Sequence, residues 1–181
     1  MQDTGIVRRI DELGRVVVPK EMRKTLRIRE GDPLEIFADK DGLVLKKYSP
    51  IKSLDNLAKL VCDCISETTK KDCLITDNDK VVCVSNTKHK EILNNKISHS
   101  LIETMKNRKQ VFLSKNKGEK MLPVVKEENF DFESQLIIPI ISNGDCYGSI
   151  ILFSFGFSPI NEVDKGIMQI SATYLAKQFE N

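Results

Sequence analysis

The first 50 residues hold four short β-forming runs and barely two turns of helix, too little apolar surface to offset the entropy of ordering them, so a second copy of the same segment must complete their core. The run Gly5-Ile6-Val7-Arg8-Arg9-Ile10 predicts a strand, and Arg15-Val16-Val17-Val18 its hairpin partner across Asp11-Glu12-Leu13-Gly14, with Gly14 supplying the positive φ of the turn. Pro19 is expected at the first position of a short helix with Met22 and Leu26 on one side, closed by Gly31. Leu34, Ile36 and Ala38 alternate with Glu35, Phe37 and Asp39; Asp41-Gly42 turns, and Leu43 to Tyr48 returns. An intertwined dimer answers the shortage of core and sets two copies of the segment about one two-fold axis.

Charge is segregated in the same place. Six of the seven arginines lie in residues 1–29, where eight basic side chains face four acidic ones for a net +4, whereas residues 51–181 hold 17 of each sign. Arg108 is the lone arginine of the remainder. A guanidinium presents a planar fork of donors that fits a phosphate or a guanine edge, which an ammonium cannot copy. The cluster therefore points to double-stranded DNA, and a two-fold pair of clusters to a pseudo-symmetric site on it. The competing account is a solvated basic face.

The residues Thr4-Gly5-Ile6-Val7-Arg8-Arg9-Ile10-Asp11-Glu12-Leu13-Gly14-Arg15-Val16-Val17-Val18-Pro19, with Glu21-Met22-Arg23-Lys24-Thr25-Leu26, Leu34-Glu35-Ile36 and Leu45-Lys46-Lys47-Tyr48, resemble the DNA-binding domain of the AbrB family. The stretch Arg29-Glu30-Gly31-Asp32-Pro33 and the long extension behind it are similar to those of its sporulation-stage members. The resemblance implies a swapped-hairpin β-barrel dimer that presents arginines from strands and loops, and a regulator of gene expression during sporulation. It carries DNA contacts onto Arg8, Arg15, Arg23 and Lys24, with Arg9 as an additional one. Related sequences often have two arginines where this chain has Arg23-Lys24, and a lysine there holds a phosphate as a point charge.

Composition changes after Ser49-Pro50. Leu54, Leu57, Ala58, Val61, Cys62 and Ile65 recur at helical spacing, which predicts a linking helix from Ser53, its expected N-cap, to Lys70. A hairpin at 73–77 and 81–84 is expected to turn at Asn78-Asp79, followed by a helical stretch over 87–109. Strands at 111–114, 134–141 and 146–155 come next, then a helix over 161–179 whose apolar spacing is carried by Val163, Ile167, Ile170, Tyr174 and Leu175. This order resembles a GAF-type sensor domain, an antiparallel sheet with helices packed on one side. The fold class is thus α+β, with residues 1–50 the DNA-binding domain, 51–70 a linker helix belonging to the C-terminal domain, and 71–181 a GAF-like domain that senses a small-molecule ligand or sets the oligomer.

Nothing in the chain marks a metal, cofactor or catalytic site. Cys62 and Cys64 lie about 200° apart around their helix and cannot share an ion. Cys73, Cys83 and Cys146 fall in apolar strands, where a thiol behaves as a small hydrophobe. His89 and His99, ten residues apart without an acidic or cysteine partner nearby in sequence, are expected to be exposed. Phe130-Asp131-Phe132 and the phenylalanines at 153, 155 and 157 line either a pocket or the core. Five unpaired cysteines, no export signal and no apolar run near the roughly 20 residues that span a bilayer suggest a cytoplasmic, nucleoid-associated protein with no membrane partner. Two other functions fit parts of the chain. One is an antitoxin-like interaction protein, against which the packed pattern of residues 51–181 speaks. The other is a thiol-dependent reductase of GAF type, although no neighbouring His or Arg marks an activated thiolate. The terminal helices of the second domain offer a second apolar seam, so the chain can form a tetramer as well as a dimer. Activation and repression remain open on the sequence.

Overall fold

A computed structural model describes residues 5–40, 42–49, 51, 54–126, 130–156 and 158–180. The chain divides into two compact units, Met1–Tyr48 and Ser49–Asn181.

In the first unit, α1 (Lys20–Thr25) is followed by an antiparallel hairpin of β1 (Leu34–Asp39) and β2 (Gly42–Lys47), in register from Leu34↔Lys47 to Asp39↔Gly42. Asp41 of the expected turn lies outside the described residues. The expected strands at 5–10 and 15–18 form no ladder, although the bend between them is made: Gly14 at φ 76° donates to the Asp11 carbonyl and Asp11 donates to the Arg15 carbonyl. A hairpin arm with nothing to cover its apolar face gains little by pairing, and here Ile6, Val7, Ile10, Leu13, Val16 and Val17 all stand exposed, Val7 to 89%. Pro19 is the N-cap of α1 instead of its first residue. The helix ends sooner than Gly31: Arg27 takes φ 53°, its N–H reaches the Lys24 carbonyl and that of Ile28 the Arg23 carbonyl, a Schellman ending without a glycine. Gly31 instead serves the next turn, where Asp32 donates to the Arg29 carbonyl.

The second unit is a five-stranded antiparallel sheet in the order β4-β3-β7-β6-β5, built from β3 (Asp72–Asp77), β4 (Val81–Val84), β5 (Val111–Ser114), β6 (Ser134–Ser142) and β7 (Asp145–Ser154). Both faces are covered, which corrects the one-sided arrangement expected. On one face α2 (Asp55–Thr69) and α4 (Glu162–Lys177) bury Ala58, Cys62, Ile65, Met168, Ala172 and Leu175 against Ile75, Leu136, Ile138 and Ile150. On the other, α3 (His99–Lys106) with Val124, Val125 and Phe132 covers Leu74, Ile137, Ile151 and Phe153, α3 contributing Leu101 and Met105. Gly148 in β7 permits the close approach of β3, because a Cβ there would stand 1.9 Å from the Thr76 carbonyl oxygen.

Local chemistry explains the boundaries. Ser53 lies outside the described residues, and α2 begins at Asp55. The Asp77 carboxylate accepts the N–H groups of Asp79 and Lys80 and so builds the β3–β4 turn. The helix expected over 87–109 is broken in two, a 3₁₀ turn at Thr87–Ile92 and α3, because Asn94 enters the left-handed region at φ 65° and the Ser98 side chain then caps α3 at the Leu101 N–H. Asn161 and Asp164 form a reciprocal capping box at the start of α4. The five residues expected to carry the apolar spacing of α4 are split between two faces: Val163, Ile170 and Tyr174 are exposed, Ile167 is half-buried against the core, and Leu175 is buried with Asp164, Met168, Ala172 and Ala176. The helix has two apolar faces, and the one with alanines lies against the sheet.

Candidate nucleic-acid interface

Arg8 and Arg9 occupy successive positions of the extended arm, Arg15 stands on the hairpin bend, and Arg23 and Lys24 share the last turn of α1; all five are exposed. The bend is fixed by one carboxylate. Asp11 Oδ1 accepts the Leu13 and Arg15 N–H groups at 3.0 and 2.8 Å, and Oδ2 accepts Arg15 Nε–H at 2.7 Å. The backbone N–H and guanidinium of Arg15 hold the Asp11 carboxyl below its ordinary value, so it stays ionised throughout the neutral range. Because Asp11 engages only Nε, the outer guanidinium nitrogens of Arg15 are left to meet an oxyanion.

Two arginines beyond the five predicted sit beside α1. Arg27 follows the helix in the left-handed region, and Arg29 donates its N–H to the Asp32 carboxylate at 2.9 Å. Lys47 on β2 pins this loop, pairing with Asp32 at 3.0 Å and donating to the Arg27 carbonyl at 3.0 Å. The composition of residues 1–29 already contained the signal for both, since it counted six arginines and only four received a role.

The cysteines and histidines of the second unit are arranged differently from each other. Of the strand cysteines expected to be buried, Cys73 and Cys83 are, whereas Cys146 is half-buried; on α2 Cys62 is buried and Cys64 exposed. A hydrogen bond to the Cys73 side chain, reinforced by burial, pushes the Cys62 thiol well above its usual range; contact with Cys62 and burial push Cys83 up, and burial does the same to Cys146. His99 is exposed, but His89 is not: it is buried, with Nε2 2.8 Å from an Asp72 carboxylate oxygen, its ring edge-on to Phe130 and stacked on Phe155. The acidic partner that the sequence neighbourhood lacked is supplied by β3. Phe132 and Phe153 are core; the phenylalanine at 157 lies outside the described residues. Among the described residues no cluster of three or more His, Cys, Asp or Glu is arranged to hold a metal ion, and no helix is long and apolar enough to cross a membrane.

Comparison with known proteins divides at the same place as the fold. Residues 7–53 match a family described as antidote-toxin recognition MazE, bacterial antitoxin, and residues 53–180 match stage V sporulation protein T C-terminal, transcription factor. The transition state regulatory protein AbrB of Bacillus subtilis (strain 168) is 60% identical over 50 residues, 28% of this chain and 52% of that one. Stage V sporulation protein T of the same organism is 45% identical over 181 residues, 99% of each chain. A type II free methionine-R-sulfoxide reductase from Thermoplasma acidophilum superposes with a TM-score of 0.55 at 14% identity, over 70% of this chain and 93% of that one. The GAF domain of an Acinetobacter phosphoenolpyruvate-protein phosphotransferase gives 0.55 at 14% identity, over 68% and 80%. At such identities these two structures establish a GAF fold for the second unit and nothing about its chemistry. With a family model matched over residues 53–180 and a relative aligned end to end, the chain belongs to the stage V sporulation protein T family of transcription factors.

Proposed function

We propose that the protein is a DNA-binding regulator of sporulation-stage gene expression that grips duplex DNA through Arg8, Arg9, Arg15, Arg23 and Lys24. The observation that carries this reading is the concentration of exposed guanidinium groups on one small unit, with Arg15 preset on its bend by Asp11. Strand- and loop-borne arginines suit phosphates and groove shape. Residues 49–181, which carry none of the five, should show no duplex binding at micromolar protein and 150 mM salt, where the whole chain binds. Equal affinity of fragment and whole chain would overturn the assignment.

The working form is an oligomer. The apolar side chains left bare on the arms and on β1 and β2 suit a partner copy that interleaves with them, giving the swapped-hairpin barrel. A second seam, Val163, Ile170 and Tyr174 on α4 with Leu60 on α2, suits pairing of the second units and a tetramer. Sedimentation at micromolar concentration should return a dimer or larger; a folded monomer would count against the barrel.

The second unit acts as sensor or oligomerisation domain, not as an enzyme. Its thiols at 62, 83 and 146 are pushed away from the thiolate, the form a nucleophilic cysteine needs. The ligand it would sense is a small molecule. Localisation is cytoplasmic and nucleoid-associated.

A further inference from the structure

The neutrality of the second unit conceals a local excess of charge. Between Thr104 and Lys126 there are seven basic residues and one acidic residue, Glu119, and the stretch brackets β5, the edge strand of the sheet. Glu119 is already engaged, accepting the Ser114 N–H at 2.8 Å. Two of the cations are also engaged, Lys106 with Glu103 and Lys115 with Asp131 and Glu133. The other five, Arg108, Lys109, Lys117, Lys120 and Lys126, are exposed and form no ion pair among the described residues. Arg108 and Lys109 precede the strand; Lys117 and Lys120 follow it.

We propose that this basic edge is a second DNA-contacting surface that meets phosphates without reading bases. The proposal rests on the reading of the protein as a DNA-binding regulator and adds a surface to it. The case is charge complementarity and size. The four residues of β5 span about 13 Å at roughly 3.3 Å per residue. Along that length one DNA strand presents about four phosphates. A cation strip whose one internal carboxylate, Glu119, is held by a backbone N–H is suited to a polyanion, and lysine on flexible stems is suited to phosphates whose register is set elsewhere. By itself the strip is weak, of the order of 10⁻⁴ M as for non-specific contacts in general, which is compatible with a silent isolated fragment. Lysines beside an edge strand also repel the edge of another sheet. That role predicts a change in assembly and none in salt dependence.

The test compares the full-length parent with the full-length triple variant Arg108→Gln/Lys109→Gln/Lys120→Gln on a mixed-sequence 40-base-pair duplex between 50 and 300 mM salt. The three side chains are exposed, and thermal unfolding and sedimentation verify that fold and assembly are kept. The expected result is a slope of log affinity against log salt shallower by at least two units, with an equal loss on specific and scrambled duplexes. A slope unchanged to within half a unit overturns the second surface, and so does a variant that aggregates while its slope is kept, since the lysines then guard the strand edge. A parent that binds no duplex at 50 mM salt overturns the DNA-binding reading itself, whereas a parent that binds with the variant's slope equal to its own overturns only this inference.

Discussion

Replacing Asp164 by Ala should destabilise the second unit by about 3–5 kcal/mol, the usual cost of removing one partner of a buried ion pair. Lys71 Nζ and Asp164 Oδ2 lie 2.9 Å apart with both side chains only 5% exposed. The pair ties Lys71, two residues beyond the end of α2, to the first turn of α4, while Asp164 also accepts the Asn161 N–H and Lys71 also donates to the Thr69 carbonyl. Without the carboxylate, the Lys71 ammonium keeps one carbonyl at 3.2 Å and no counter-charge, and it must lose its proton or draw in water. Losing both charges together is a smaller injury. The double variant Lys71→Met/Asp164→Leu should recover most of the loss, because an apolar pair of similar volume leaves no ion uncompensated. Urea unfolding of the full chain followed by the second unit's transition measures both. A single variant within 1 kcal/mol of the parent would show that water reaches the pair.

Raising salt from 50 to 200 mM should cost the full chain about four decades of DNA affinity. If Arg8, Arg15, Arg23 and Lys24 each meet a phosphate in both chains of a dimer, about eight contacts form, and log affinity falls with log salt at a slope of roughly −7. Titration of one duplex at four or five salt concentrations gives the slope. A value near −2 would mean that most of the cluster never reaches the backbone. The basic edge of the second unit, where it engages, makes the slope steeper and not shallower.

What the sequence revealed and what it withheld follow the range of the interactions. The second unit's strands are legible because the apolar runs within 134–141 and 146–155 reflect a sheet covered on both faces by its own chain, and helix α4 because Asn161 caps it. Helix α4's orientation was not legible. Val163, Ile170 and Tyr174 form an exposed apolar stripe, while Met168 and Leu175 with the small Ala172 and Ala176 fit against the sheet. The break at Asn94 was signalled by Asn94-Asn95 and Ser98, turn and cap residues inside an otherwise helical stretch. The burial of His89 was invisible, because Asp72 lies 17 positions away and only the packing of the 3₁₀ turn on β3 brings the two together. The same holds for Lys71 and Asp164. In the first unit the bend at 11–15 was legible from Asp11 and Gly14, both local, whereas the pairing of the arms depends on what covers them. The arginine segregation marks the first 29 residues as a segment, but the choice of Arg8, Arg9, Arg15, Arg23 and Lys24 within it came from the family resemblance; all five are exposed.

The central claim, that these side chains hold DNA, is tested most directly by Arg8→Ala, Arg15→Ala and Arg23→Ala, each measured on matched and scrambled duplexes at several salt concentrations. In a dimer each substitution removes two contacts, so the slope should shrink by roughly two units with similar losses on both duplexes where the arginine only positions the protein. An arginine that instead grips a guanine edge should cost about 1–3 kcal/mol of discrimination per contact and relax preference at particular base positions. The first pattern is expected for most of the cluster. Unchanged affinity and unchanged slope in all three variants would contradict the account.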